Sequence, residues 1–269
     1  MNIGTGKPDG EWKWKGGKRR YMVGGIPHYL MDIVDPKKTF TVADFKKRAT
    51  KLIAEITKRK KIPFIVGGTG LHIWSVVDNL NIPTGTSDKK LRQSFEDKTA
   101  DQLAAQLEKI DPETAAMIDK KNKRRLIRAL EVAMMSGESF VSQRTAGEPF
   151  CQALQIGLSW PATELKEKID RRIEWMWENG LVDEVKVLLT KKYSFELPSM
   201  SGIGYKEVES YLCGEATLGE AKERMKRATR RYVKRQMTWF RRDGRIVWAD
   251  RNSLDEARKL MEEFLRNKK

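Results

Sequence analysis

The chain has 269 residues, of which 53 are lysine or arginine and 37 are aspartate or glutamate, so the formal net charge is +16. Such a charge favours a polyanionic partner, nucleic acid first, although a basic surface that serves only solubility is the alternative. Two distant cysteines, Cys151 and Cys213, argue against a disulfide framework and a zinc module. The sequence contains no long apolar run, so we expect no membrane partner.

The first part of the chain carries weak structural signals. Met1 to Arg20 is polar, glycine-rich and contains two tryptophans, and we interpret it as a loop without regular elements. It lacks the apolar core of a secretory signal, so a cytoplasmic location is expected. Gly25 to Pro36 predicts a short strand or an extended segment.

Residues 41–74 predict an α/β unit. Thr41 to Asp44 forms a capping box, and apolar residues at helical spacing predict a helix near 42–60. Phe64 to Val66 predicts a buried strand, Gly67 to Gly70 a glycine turn, and Leu71 the start of a helix. A glycine turn before a helix can hold an anion, but a plain connection has the same signature.

Residues 84–150 show helical patterns with many charges and no strand-like run. We therefore predict three segments: 1–83 as the first part of an α/β core, 84–150 as a helical insertion, and 151–269 as the second part of the core. Turns at Pro83-Thr84-Gly85 and Ala146-Gly147-Glu148-Pro149 are the expected hinges.

The last segment alternates helices and strands. Thr163 is the expected N-cap of a helix ending near Asn179, and Thr217 opens a capping box. The other predictions are a strand at 154–158, a helix at 181–189, a loop at 199–207, a helix at 217–240, a strand at 245–248 and a helix at 253–266.

Cations cluster in two places. The predicted helix 217–240 carries a set of closely spaced basic residues: Arg227, Arg230, Arg231, Lys234 and Arg235. Residues 120–125 form a second basic run that leads to Arg128. A charged stretch is often only a solvated helix face, but two such clusters suit a long polyanion.

The sequence contains few residues suited to a hydrolase triad or a histidine metal site, and a few candidate phosphate ligands. His28 and His72 are the only histidines, which disfavours a hydrolase triad and histidine ligation of a metal. Lys168, Arg171 and Arg172 are candidate phosphate ligands, with surface ion pairing as the alternative.

Several stretches, taken together and in order, resemble one family. They are Ile3-Gly4-Thr5-Gly6-Lys7-Pro8, Pro27-His28-Tyr29-Leu30-Met31-Asp32, Val66-Gly67-Gly68-Thr69-Gly70, Arg125-Leu126-Ile127-Arg128-Ala129-Leu130-Glu131, Ile203-Gly204-Tyr205-Lys206-Glu207 and Lys234-Arg235-Gln236-Met237-Thr238-Trp239-Phe240-Arg241. From its first residue to about Trp248, the chain is similar to the tRNA dimethylallyltransferases, also called tRNA isopentenyltransferases.

The resemblance implies a P-loop-like α/β core with a helical insertion. It also implies transfer of a dimethylallyl group from dimethylallyl diphosphate to N6 of adenine 37 in tRNA. Mg²⁺ is the implied cofactor, tRNA and dimethylallyl diphosphate are the implied partners, and we expect a monomer. The target base would be flipped out of its stack.

The resemblance also implies residue roles. Thr69 and Arg172 would act in catalysis, and Arg172 and Lys168 would bind the diphosphate. The implied tRNA contacts are Arg92, Arg124, Arg125, Arg128, Gly202, Gly204, Tyr205, Lys206, Arg230, Lys234 and Arg235.

This sequence departs from the family pattern. Ala162 and Lys168 stand where arginine is more usual, Asn122 replaces an aspartate, and Tyr29 replaces a histidine. In the family, a P-loop and an aspartate thought to be the general base precede the segment that here starts at Ile3. We therefore expect the chain as written to lack both, to expose apolar sheet faces, and to transfer the prenyl group far more slowly.

Two other functions stay open on the sequence. One is a tRNA-binding protein without catalysis, using the basic helix and the insertion alone. The other is a P-loop kinase relative that acts on a small phosphorylated substrate.

Overall fold

The computed structural model describes residues 1–82, 88–142, 145–250 and 254–267. The strands are β1 (Glu11–Lys15), β2 (Lys18–Val23), β3 (Ile26–His28), β4 (Gln155–Ser159) and β5 (Ile246–Asp250). The helices are α1 (Val42–Lys58), α2 (Gly70–Val77), α3 (Lys89–Gln93), α4 (Ala100–Ile110), α5 (Pro112–Met117), α6 (Lys123–Ser136), α7 (Ala162–Glu178), α8 (Leu181–Thr190), α9 (Tyr205–Leu212), α10 (Leu218–Phe240) and α11 (Leu254–Arg266).

Two compact units make up the molecule. Unit 1 contains residues 1–40 and 154–269, and unit 2 contains residues 41–153. The predicted boundary between an α/β segment and a helical insertion at residues 83–84 stays a prediction. Its first hinge, Pro83-Thr84-Gly85, lies outside the described residues.

Unit 1 begins with an antiparallel sheet of order β1-β2-β3. The β1–β2 hairpin turns at Gly16 and Gly17, which have φ of 60° and 71°, and both values suit the tight turns that join twisted strands. The expectation that Met1 to Arg20 forms no element is therefore wrong. Two glycines between two alternating stretches were the signal for this hairpin, whereas the short strand expected after Gly25 is confirmed as β3.

The second sheet of unit 1 is the parallel pair β4–β5, in which Gly157 lies opposite Trp248. Helices α7 to α10 enclose an apolar core that includes Ile173, Leu181 and Met225. The capping box of α10 at Thr217 is confirmed. Helix α7 instead begins after Pro161, and Thr163 lies inside its first turn, so the predicted N-cap is wrong.

In unit 2, α1 begins at the predicted capping box and packs against α2. Helices α4, α5 and α6 form a second core, filled by residues such as Phe95, Leu103 and Leu130. The predicted helix near 42–60 is confirmed as α1, and the helical patterns of residues 84–150 are confirmed as α3 to α6.

The buried strand predicted at Phe64 to Val66 is wrong. These residues are irregular, and the side chains of Phe64 and Val66 are 68% and 92% exposed. Strand backbone needs a neighbouring strand for its N–H and C=O groups. The described part of unit 2 contains helices but no strand that could pair with this segment.

The α/β class is nevertheless confirmed, because a parallel pair of strands and packed helices occur together. Among the described residues, no helix is both long and apolar enough to cross a lipid bilayer.

Candidate functional site

The carboxylate of Glu184, in the first turn of α8, organises the N-terminal loop of unit 1. It accepts hydrogen bonds from the backbone N–H groups of Asn2 (2.6 Å), Ile3 (2.9 Å) and Gly4 (3.2 Å). Burial alone would raise the pKa of Glu184, but these bonds and one from Tyr205 outweigh it and the pKa lies below its usual value. Glu184 thus holds the loop as a carboxylate.

Tyr205 supports the same loop from α9. Its hydroxyl donates to Glu184 Oε1 at 2.6 Å, and a Cβ placed on Gly4 would overlap its ring. Burial first and the bond to Glu184 second raise the pKa of the phenol. Tyr205 is only 2% exposed, and the preceding Gly204 is also buried, with φ of 101°.

Gly204 and Tyr205 are both buried in this structure, and Tyr205 supports the Asn2–Gly4 backbone through Glu184. Their implied contact with tRNA stays a prediction. Gly202 and Lys206, from the same predicted group, are exposed. Those two stay candidates for direct contact.

Arg172 brings positive charge to the loop. It lies on α7, and its Nη2 occupies the space that a Cβ on Gly6 would fill, so glycine with φ of 64° is required there. Lys168, one turn earlier on α7, places its Nζ 4.1 Å from the ring centroid of Trp160. The two predicted diphosphate ligands are thus exposed cations on one helix, beside a glycine loop.

Lys7 closes the loop on its other side. It forms an ion pair with Asp32, and its Nζ lies 4.5 Å from the ring centroid of Tyr21 in β2. The loop is therefore fixed at α8, α9, α7 and the first sheet.

Acidic residues of α7 face basic residues of α10. Asp170 Oδ1 lies 2.5 Å from Arg230 Nη2, and Glu174 contacts Lys222 at 2.6 Å and Lys226 at 2.7 Å. The two lysines lower the pKa of Glu174. Arg230, predicted to bind tRNA, is thus engaged in helix packing.

A neighbouring face of α10 is exposed to solvent. Four exposed cations recur at helical spacing along it: Arg227, Arg231, Lys234 and Arg235. The Cζ of Arg235 lies 5.8 Å from the ring centroid of Tyr232. This α10 stripe presents a row of positive charge to solvent.

In unit 2, the side chain of Thr69 is exposed at the N-cap of α2 and makes no capping hydrogen bond. Its backbone carbonyl accepts from the N–H of His72 at 3.0 Å. Burial lowers the pKa of His72, which packs against Phe45. Thr69 therefore has its hydroxyl at the surface, as its implied role near a substrate base requires.

A buried carboxylate also organises the arginines of unit 2. Glu131 on α6 is fully buried, and Arg92 binds both of its oxygens at 3.0 Å while Arg128 binds Oε2 at 2.7 Å. Burial would raise the pKa of Glu131, but these arginines hold it below its usual value. Arg92 and Arg128 are thereby fixed in orientation, whereas Arg124 and Arg125 at the start of α6 are exposed.

The donor side chains of this chain decide whether a metal could bind to the protein alone. Among the described residues, no group of three or more histidine, cysteine, aspartate or glutamate side chains has the geometry to hold a metal ion. The described side chains alone do not form a site for the predicted Mg²⁺.

Known proteins that are similar to this chain show which family it belongs to. A family model described as IPP transferase matches residues 1–243. The chain belongs to the IPP transferase family. The resemblance read from the six sequence motifs is confirmed, and so is the prediction of a prenyltransferase enzyme.

Curated members of the family are similar over most of the chain. The tRNA dimethylallyltransferase 1 of Citrifermentans bemidjiense is 41% identical over 253 residues, covering 93% of this chain and 79% of that protein. The tRNA dimethylallyltransferase of Alkaliphilus metalliredigens is 43% identical over 258 residues, covering 92% of this chain and 78% of that protein.

Solved structures agree with this assignment. The tRNA isopentenylpyrophosphate transferase of Bacillus halodurans has a TM-score of 0.65 at 37% identity and covers 100% of this chain and 83% of its own. A eukaryotic dimethylallyltransferase acting on tRNA has a TM-score of 0.73 at 25% identity and covers 90% of this chain and 66% of its own. The predicted P-loop-like α/β class with a helical part is thereby confirmed.

Sequence reasoning missed the two carboxylates that organise these sites. Glu184 lies on the mostly apolar helix α8, and Glu131 ends one of the six family motifs, but no role was predicted for either. The arginines and the glycine loop were named from the family resemblance, and their hydrogen-bond partners emerged only from the fold.

Proposed function

We propose that this member of the IPP transferase family transfers a dimethylallyl group from dimethylallyl diphosphate to N6 of adenine 37 in the anticodon loop of tRNA. The observation that carries the proposal is the similarity, over more than nine tenths of the chain, to proteins named tRNA dimethylallyltransferase. The P-loop kinase alternative loses its motivation, because the family model covers the segments on which it rested.

The reaction needs positive charge where the diphosphate leaves. N6 attacks the allylic carbon, the carbon–oxygen bond breaks, diphosphate departs with the bonding electrons, and N6 gives up a proton. Arg172 and Lys168 are the proposed diphosphate ligands, since both are exposed cations and Arg172 lies against a glycine loop. Thr69 is the proposed catalytic contact in unit 2, with its hydroxyl exposed.

The proposed tRNA surface consists of exposed cations. The α10 stripe, Lys206, Arg124 and Arg125 are accessible, and Arg92 and Arg128 are oriented by Glu131. Gly202 offers exposed backbone close to Lys206 in the chain. Phosphate contacts by such residues position an RNA and weaken as salt rises.

We propose that Mg²⁺ binds together with the diphosphate substrate and not at a site formed by protein side chains alone. Magnesium is commonly bound through substrate phosphates and retained waters with one or two carboxylates, so it does not need an all-protein site. We further propose a monomer in the cytoplasm, a compartment that suits the two free cysteines.

Nucleoside analysis tests the proposal. The chain is incubated in excess over an unmodified tRNA transcript with dimethylallyl diphosphate, and the digested RNA is analysed by mass spectrometry. We expect N6-dimethylallyladenosine in the digest, with the Alkaliphilus metalliredigens relative run in parallel as a positive control.

Binding of the transcript without any product after prolonged incubation would contradict the proposed activity. That result would favour the alternative, a tRNA-binding protein without catalysis. The exposed cations of α10 keep that second function open, since they need no catalytic group.

A further inference from the structure

The β1–β2 hairpin is a feature of unit 1 that the proposed reaction does not use. Residues 11–20, Glu-Trp-Lys-Trp-Lys-Gly-Gly-Lys-Arg-Arg, contain five cations, one carboxylate and two tryptophans. From Glu11 to Arg19 every residue is exposed, and only Tyr21 and Met22, further along β2, are buried.

The pairing register sorts the side chains of this hairpin onto two faces. Trp12 lies opposite Tyr21 and Trp14 opposite Arg19, and residues opposite each other in an antiparallel pair share a face. One face is therefore aromatic with a single arginine. The other face carries the remaining cations: Lys13, Lys15, Lys18 and Arg20.

The aromatic face is ordered at its base and open at its tip. Tyr21 donates its hydroxyl to the Pro8 carbonyl at 2.7 Å, and Trp12 packs edge-on against it with ring centroids 5.5 Å apart. The Cζ of Arg19 lies 5.1 Å from the Trp12 ring centroid. Trp14, the outermost aromatic residue, is 78% exposed.

The base of the hairpin is tied to the proposed diphosphate site. Lys7 lies over the Tyr21 ring, and its neighbour Gly6 contacts the Arg172 guanidinium. The hairpin therefore has a defined attachment to the loop at which we place the reaction. Its tip carries a flat apolar ring on one face and long cationic side chains on the other.

We infer that this hairpin binds RNA, with Trp14 stacking on an unpaired nucleotide at one face and the long lysine side chains of the other face reaching the flanking phosphates around the edge of the turn. Aromatic rings between cations are the typical platform for single-stranded RNA, since every base has a π-face and every linkage a negative charge. The net positive charge of the hairpin complements such a strand. The inference rests on the proposed function, because tRNA supplies both unpaired loops and phosphates.

Affinity for an unmodified tRNA transcript, measured over a range of salt concentrations, tests the inference. We expect Trp14→Ala to weaken binding about fivefold or more at every salt concentration, because stacking is lost without a change in charge. Trp14→Phe keeps a π-face and should bind nearly as the unaltered chain does. Trp175→Ala is the matched control, since Trp175 is also exposed but lies on α7, and it should leave the affinity unchanged.

The cations are tested separately. Exchanging Lys15 and Lys18 for glutamine should reduce the slope of log affinity against log salt by about 1 to 2, whereas Trp14→Ala should leave that slope intact. Thermal unfolding should be unchanged by Trp14→Ala, because the side chain is exposed.

Unchanged tRNA affinity of the Trp14→Ala chain would overturn the inference and leave the proposed function standing. So would an equal loss on Trp175→Ala. Binding of phosphatidylglycerol vesicles that depends on Trp14, together with tRNA binding that does not, would overturn it in favour of a membrane surface. Failure of the unaltered chain to bind tRNA would overturn both proposals.

Discussion

The carboxylates of Glu184 and Glu131 hold other groups in place, and the charge pattern of the sequence does not reveal this role. Glu184 gathers three backbone N–H groups and one phenol, and Glu131 gathers two arginines and the backbone N–H of Asp88. Each sits where an unpaired charge would be costly, so the hydrogen bonds are needed for its ionised form. Glu131 also fixes two arginines that we assign to tRNA contact, and Glu184 fixes the loop against which Arg172 lies.

Glu184→Gln tests this role at the residue scale. We expect a loss of about 1–3 kcal/mol in the free energy of unfolding, because an amide cannot accept the same set of bonds. Amide hydrogen exchange at Asn2, Ile3 and Gly4 should accelerate. The Kd for dimethylallyl diphosphate should rise more than the Kd for tRNA, since the loosened loop packs against Arg172.

The pH dependence of the same variant has a definite sign. The pKa of Glu184 is lowered in the folded chain, so its stabilisation is present above the ordinary value near 4.5 and is lost as pH falls through the folded value. The stability gap to Glu184→Gln should shrink in acid. An equal gap at pH 7 and in strong acid, or the same effect from Glu178→Gln at an exposed site, would contradict the assignment.

At the scale of elements, helix α10 serves two purposes on two faces. One face pairs with Asp170 and Glu174 of α7, and the other carries the exposed α10 stripe. Helical periodicity in the sequence located the stripe and Arg230 as one cluster, and Lys222 and Lys226 were not predicted. It did not separate Arg230 from the stripe, because the acidic partner Asp170 comes from a distant stretch of the chain.

The triple exchange of Arg231, Lys234 and Arg235 for glutamine tests the stripe. We expect weaker tRNA binding and a salt slope reduced by about 2 to 3, with little change in thermal stability. Arg230→Gln is the contrasting variant, because it leaves Asp170 without its partner and should lower the melting temperature instead. Wild-type tRNA affinity of the triple variant would show that the stripe is only a solvated face.

How well each helix or strand could be predicted depended on how strong its local sequence signal was. Helices α1 and α10 could be predicted from their capping boxes and from the helical spacing of their residues. The strand expected at Phe64 to Val66 failed, since an apolar run reports burial only when a partner strand exists. The β1–β2 hairpin was missed because its strands are charged and exposed, and only its two glycines marked it.

At the scale of the whole molecule, the net charge of +16 is consistent with a tRNA partner, and family membership gives that charge a specific use. All three site candidates, Arg172, Lys168 and Thr69, are exposed, and their roles stay predictions. They could be named from the family resemblance. Their supports could not, because contacts such as Glu184 to Asn2 join residues about 180 positions apart.

The central claim is transfer to the exocyclic amine of one adenine. Labelled dimethylallyl diphosphate is offered with two transcripts that differ only at position 37, one with adenosine and the other with guanosine, which lacks an N6 amine. We predict label in the adenosine transcript and none in the guanosine transcript. Equal labelling of both RNAs, or of neither while both are bound, would contradict the account.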